Sequence, residues 1–137
     1  GPMWKSMKQK CPENIIMPGF TTRVYDYLKA VDYYISASEV EGLANTILES
    51  MSVGLPMLLS DIPSHQEVMA NFNECSVGYI INNRNTENIR AKIGEILKLD
   101  SENTRRLLND LYQRKHSAKV MSESYQKAYI DLIEGKK

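Results

Sequence analysis

The segment that most constrains the fold runs from residue 35 to residue 67, with the sequence ISASEVEGLANTILESMSVGLPMLLSDIPSHQE. An apolar run at Tyr34 and Ile35 leads into a polar loop, a helical pattern, and a second apolar run at residues 56–59. Two apolar runs joined by a helix predict parallel strands with a crossover connection. Ligands of such sheets bind outside the carboxyl ends of the strands. Residues 38–42, named here the elbow loop, are therefore where a functional site is expected.

The sequence on either side of this segment predicts further alternation of strands and helices. A helix over residues 4–10 and a strand over residues 14–17 come first, followed by a helix that Thr21 or Thr22 caps and that ends near Ala30. Further strands are predicted at residues 33–37, 57–60 and 77–81, and further helices at residues 44–53, after Pro63, and at residues 86–97, 101–115 and 117–133. These elements predict an α/β fold with a partial Rossmann-like, doubly wound parallel sheet of about four strands and a helical C-terminal tail.

The composition indicates one compact unit without a strong charge. A chain of 137 residues can bury one core, and its 17 basic residues balance 17 acidic ones, so charge alone predicts no nucleic-acid partner. Cys11 and Cys75 lack the spacing of a metal site or a disulfide framework, which favours reduced thiols in a cytoplasmic chain. The sequence has no apolar run long enough for a transmembrane segment. Residues 1–2 are interpreted as a scar of tag cleavage.

The residues in and after the elbow loop form a string that resembles a known enzyme family. Glu41 and Glu49 stand with seven residues between them inside EGL-x5-ESMS-x-G-x-P, and Ser60, Asp61 and Glu67 follow in order. This string resembles the donor-binding region of nucleotide-sugar-dependent glycosyltransferases of the retaining, two-domain GT-B type (glycosyltransferase family 4-like, glycosyl transferases group 1). The resemblance extends from about residue 14 to about residue 81 and is strongest between residues 38 and 67.

The resemblance implies a role for each residue at the elbow loop. Glu49 is expected to accept hydrogen bonds from the ribose of a UDP- or GDP-sugar, which is the substrate, with no further cofactor. Glu41 is the catalytic candidate, facing the transferred sugar or the positive charge that develops on it, and an ionised carboxylate suits both tasks. Free N–H groups at the start of the helix near Ala44 favour a diphosphate. The remaining donor-binding candidates are Gly42, Leu43, Ala44, Asn45, Thr46, Gly19 and Phe20.

Simpler interpretations of the same residues remain open. Ser38 and Glu41 have the S-x-x-E spacing of a capping box, and Glu49 can be a surface residue of a helix. His65 has no carboxylate partner in the sequence around it, so a structural role is favoured over a role as general base. His116, late in the helical tail, is a weaker candidate still.

The resemblance also implies that the chain is one part of a larger enzyme. Residues 1–137 are expected to form a single partial domain, the latter part of the nucleotide-sugar-binding domain, whose acceptor-binding domain is missing. The expected function is a retaining hexosyltransferase of capsule, exopolysaccharide or lipopolysaccharide assembly, in the cytoplasm or at the inner face of the membrane, with the isolated chain inactive. The alternative is a non-catalytic sugar-nucleotide-binding subunit or scaffold of a split transferase.

The predicted topology leaves an open edge in the sheet. In a sheet of order 3-2-1-4-5-6, residues 14–17 would be strand 3 and residues 33–37 strand 4, with the two central strands absent. Because an unpaired strand edge invites another strand, either residues 14–17 move beside residues 33–37, or a second copy pairs with the edge. Self-association is favoured, because Trp4 and Met7 also need cover.

Overall fold

Three parallel strands form the centre of the computed structural model, which describes residues 3–42, 44–72, 77–82 and 84–135. The strands are β1 (Tyr34–Ser36), β2 (Met57–Ser60) and β3 (Gly78–Ile81), and they lie in that order across the sheet. β2 is buried at all its residues because it has a strand on either side and helices on both faces. The predicted α/β class and parallel sheet are confirmed, with three strands rather than four in the described residues.

Seven α-helices and a π-helical turn surround the sheet in these described ranges. They are α1 (Trp4–Gln9), α2 (Val24–Lys29), α3 (Asn45–Val53), α4 (Pro63–Met69), α5 (Thr86–Ile96), α6 (Ser101–Leu111), the π turn (Tyr112–His116) and α7 (Ala118–Ile133). Side chains of Asn85, Asp100 and Ser117 cap α5, α6 and α7 by accepting hydrogen bonds from first-turn N–H groups. The helix predicted over residues 101–115 is therefore present, but its last turn is π-helical.

The connection from β1 to β2 is the predicted crossover helix, α3. Gly54 ends it in the left-handed conformation, with φ 75° and ψ 33°. A Cβ atom at Gly54 would lie 2.8 Å from the Cα atom of Arg105, so glycine also allows α3 and α6 to approach closely. Ile47 and Met51 are fully buried on the inner side of α3, as the helical spacing predicts.

The core has two parts because side chains of a strand alternate between the two faces of a sheet. Met57 and Leu59 of β2 face the larger cluster, which includes residues of α3, α4 and α6. Leu58 faces the smaller cluster, with Ile81 and Ile96 of β3 and α5. Helices on both faces leave the carboxyl ends of the three strands at one open edge of the domain, which is where the elbow loop lies.

The predicted strand at residues 14–17 is wrong. These residues are irregular, and the side chains of Ile15 and Ile16 are exposed. A strand is stable only when a neighbour pairs with it, and this segment pairs with no strand in the described part of the chain. Closure of the sheet by residues 14–17 is therefore wrong as well. β1 remains an edge strand, with Ile35 54% exposed, and pairing with a second copy stays a prediction.

The start of the second helix also differs from its prediction. The hydroxyl of Thr21 accepts a hydrogen bond from the N–H group of Arg23 at 3.0 Å, and α2 begins only at Val24. Thr21 therefore forms a local turn that stands before the helix and does not cap it.

Candidate active site

A pocket of about 410 Å³ opens beside the elbow loop, at the carboxyl ends of the strands. Glu41 and Gly42 form one of its sides. The other lining residues come from α4, the segment just after it and the π turn, namely Pro63, Ser64, Glu67, Val68, Asn71 and His116. Two carboxylates, an amide, a hydroxyl and an imidazole thus surround one cavity, a set of groups suited to a ligand rich in hydroxyl groups.

Glu41 is held by a neighbouring serine and not by a helix terminus. Ser38 Oγ donates a hydrogen bond to Glu41 Oε1, and Ser36 Oγ lies 3.3 Å from Ser38 Oγ. The capping-box interpretation does not describe this pair, because the elbow loop is irregular and α3 begins only at Asn45. Within the described ranges, no hydrogen bond reaches Glu41 Oε2, and Glu41 lines the pocket.

The second glutamate of the string lies apart from this pocket. Glu49 is half-buried on α3 and is not among the pocket's lining residues. At the start of α3, Ala44 has an extended backbone and no side chain caps the helix, which leaves N–H groups there for an anion. Asn45 and Thr46 follow in the exposed first turn, and Thr46 Oγ1 is hydrogen-bonded to Tyr34 Oη at 2.8 Å.

Of the donor-binding candidates that the structure describes, Gly42 alone lines the pocket. Gly19 has a φ of 81° and lies against the indole ring of Trp4, and Phe20 is 95% exposed. Neither residue lines the cavity beside Glu41. Leu43 lies outside the described residues. The roles of Gly19 and Phe20 toward a nucleobase stay predictions.

The two acidic residues of the elbow loop face different cavities. Glu39 lines a smaller one of about 270 Å³ together with residues that follow β2 and β3. Its carboxylate forms an ion pair with Arg84 at 3.1 Å, and both side chains are largely exposed. Glu39 is therefore a natural comparison for Glu41, since it shares the loop and the charge but not the larger pocket.

His116, the weaker of the two histidine candidates in the sequence analysis, lines the pocket. It ends the π turn, and its Nε2 atom is buried without a partner in the residues that the structure describes. Burial lowers the pKa of His116 and the nearby Lys115 lowers it further, while Glu67 opposes them. The lowered pKa favours the neutral imidazole. No local pattern signals this position, because a π turn changes which face of the helix a residue occupies.

The lowered pKa of His116 predicts a loss of stability in mild acid. The unfolded residue titrates near its ordinary value of 6.5, so below that pH the unfolded chain binds more protons than the folded one. His116 therefore does not lower the free energy of unfolding above about pH 6.5, and lowers it increasingly as the pH falls toward the native pKa. Urea unfolding near pH 7.5 and near pH 5.5 measures how much the free energy of unfolding falls in acid. This decrease should be smaller for His116→Gln than for the parent. Equal losses in both proteins would contradict this assignment.

The surroundings of His65 are those expected of a structural residue. It is fully buried, and its Nδ1 atom lies 3.0 Å from the carbonyl oxygen and 3.2 Å from the hydroxyl of Ser60. It does not line the pocket beside Glu41. Across the described residues there is also no cluster of potential metal ligands, and none of the described helices is long and apolar enough to cross a membrane.

The structure is an α/β domain with a polar pocket at the ends of its parallel strands. The family model for glycosyl transferases group 1 matches residues 5–114, and the chain belongs to this family. Two similar curated proteins are both the O-antigen biosynthesis glycosyltransferase WclY of Escherichia coli, each 22% identical over 128 residues. The alignments cover 91% of this chain and 34% of each relative. The chain thus spans about a third of the length of these relatives.

Proposed function

We propose that this chain is the donor-binding part of a glycosyltransferase that builds a bacterial surface polysaccharide. The observation that carries the proposal is the pocket that joins Glu41 and Gly42 to α4 and His116 at the strand ends. The chain belongs to glycosyl transferases group 1, which favours a sugar donor as the ligand of this pocket. The WclY relatives are named for O-antigen biosynthesis. The proposed donor is a UDP- or GDP-sugar, and the proposed reaction retains the configuration of a transferred hexose.

The geometry supports a division of the donor between two places. The uncapped start of α3 suits the diphosphate, because its N–H groups and the helix dipole favour negative charge. The sugar then occupies the adjoining pocket, whose volume of about 410 Å³ is in the range of small-molecule sites. There Glu41 Oε2 accepts a sugar hydroxyl and stabilises the positive charge that develops at the reacting carbon.

The complete enzyme, in this proposal, also has an acceptor-binding domain that completes the cleft. The isolated chain then binds a nucleotide sugar only weakly, with a dissociation constant no tighter than roughly millimolar, which corresponds to about 4 kcal/mol. It transfers no sugar at a useful rate, because groups that stabilise the leaving diphosphate are supplied by the rest of the enzyme.

Glu49 provides a test of the nucleotide half of the site. Glu49→Ala in the complete enzyme is expected to raise the donor dissociation constant by about tenfold or more, because a hydrogen bond to a charged group contributes about 1.5–3 kcal/mol. Calorimetric titration with UDP- and GDP-sugars measures the change. The matched control is Glu102→Ala, an exposed residue in the first turn of α6, which should leave the affinity unchanged. An unchanged affinity in Glu49→Ala would remove Glu49 from the site.

A further inference from the structure

Side chains from the ends of two neighbouring strands form a hydrogen-bond network that reaches Glu41. Ser36 ends β1 and Ser60 ends β2, and both are buried. Ser60 Oγ donates to the carbonyl oxygen of Ser38 at 2.5 Å. The Ser38 hydroxyl in turn donates to Glu41 Oε1 and accepts from Ser36 Oγ. Ser38 is therefore held through both its backbone and its side chain.

The hydrogen positions in this network follow from its acceptors. Ser60 Oγ uses its only hydrogen toward the carbonyl of Ser38, and the carbonyl oxygen of Ser60 can only accept. Both Ser60 oxygens lie within 3.2 Å of His65 Nδ1. His65 Nδ1 therefore carries a hydrogen and donates it to Ser60. The fully buried imidazole thus fixes the side chain of Ser60 so that its hydroxyl points toward the elbow loop.

We infer that Ser38, Ser60 and His65 are positioning residues for Glu41. The elbow loop is irregular, so no helix or strand hydrogen bonds fix Glu41 in place. The network supplies this constraint, since it ties one carboxylate oxygen to two rigid strands and leaves the other oxygen for the pocket. Small displacements of a group that acts on the transition state have large effects on rate. The inference rests on the proposed function, in which Glu41 acts on the transferred sugar.

The test is a series of serine variants in the complete enzyme, assayed for transfer from the nucleotide sugar. Ser38→Ala is expected to lower kcat by about tenfold or more while the donor KM stays within about twofold, because the network constrains Glu41 and not the nucleotide. Ser38→Thr keeps the hydroxyl and should restore most of kcat. The matched control is Ser52→Ala on α3, whose hydroxyl donates to the carbonyl of Glu49 and has no contact with the elbow loop among the described residues, and it should leave kcat unchanged.

The outcomes separate this inference from the proposed function. If Glu41→Gln inactivates the enzyme while Ser38→Ala retains full kcat, the positioning role is wrong and the proposed function stands. If Glu41→Gln is itself fully active, the proposed function is wrong. Should Ser38→Ala lower the melting temperature, Ser38→Cys replaces it, because a thiol has nearly the same shape but is a weaker donor. Full kcat in a stable Ser38→Cys variant would also overturn the positioning role.

Discussion

Replacement of Glu41 by glutamine in the complete enzyme is expected to lower kcat by roughly 10²- to 10³-fold, the cost of losing one preorganised electrostatic contact to a transition state. Glutamine keeps the shape and one oxygen acceptor but removes the negative charge that is proposed to face the reacting carbon. Because Glu41 is exposed, the melting temperature should not change. The measurement is transfer of labelled sugar from the UDP- or GDP-sugar under saturating donor.

The control for this substitution is Glu39→Gln in the same loop. Glu39 lines the smaller cavity and pairs with an exposed arginine, so its loss should change neither kcat nor stability appreciably. If the Glu41 variant transfers sugar as fast as the parent, the catalytic assignment is wrong, and the alternative of a non-catalytic nucleotide-sugar-binding subunit or scaffold is favoured.

Gly78→Ala is expected to prevent folding of the chain, because it should lower the free energy of unfolding by more than about 4 kcal/mol. Gly78 begins β3 at a φ of 154°, and a Cβ atom there would lie 1.9 Å from the carbonyl oxygen of Met57. Met57 lies in the central strand, so the clash cannot be relieved by moving a flexible side chain. Thermal unfolding followed by circular dichroism measures the effect, and a normal melting temperature would contradict the β2–β3 register.

Gly94→Ala is the matched control, with an effect of opposite sign. Gly94 lies within α5, and a Cβ atom there would meet nothing within 4 Å. Alanine should therefore raise the free energy of unfolding by up to about 1 kcal/mol, through its higher helix propensity. Destabilisation of similar size in both variants would indicate a general sensitivity to glycine replacement and not a specific clash at Gly78.

Much of the fold could be predicted because its signals are local. The apolar run of β2, the spacing of Ile47 and Met51, and Gly54 at the end of α3 all lie in one short segment. The strand expected at residues 14–17 could not be judged in this way, since its residues have strand propensity but a strand also needs a neighbour. Propensity alone therefore predicted one strand too many.

The candidate site was predictable only where its residues are close in sequence. The string from Glu41 to Glu49 identifies the elbow loop and the start of α3. In contrast, Ser60 bonds to Ser38 across 22 residues, and His116 lines the pocket from the π turn between α6 and α7. Such contacts depend on how the strands pair and where α6 changes to a π turn, which no short pattern encodes.

The central claim is that a nucleotide sugar binds between the elbow loop and the start of α3, and ¹⁵N NMR titration of this chain tests it most directly. UDP- and GDP-sugars are added in parallel to about 10 mM, a range suited to the weak affinity expected. The account predicts saturable shifts of the amide signals of Gly42, Asn45 and Thr46 for one of the two donors, with a dissociation constant in the millimolar range. Shifts that spare these residues and concentrate instead around α2, or micromolar affinity for the isolated chain, would contradict it.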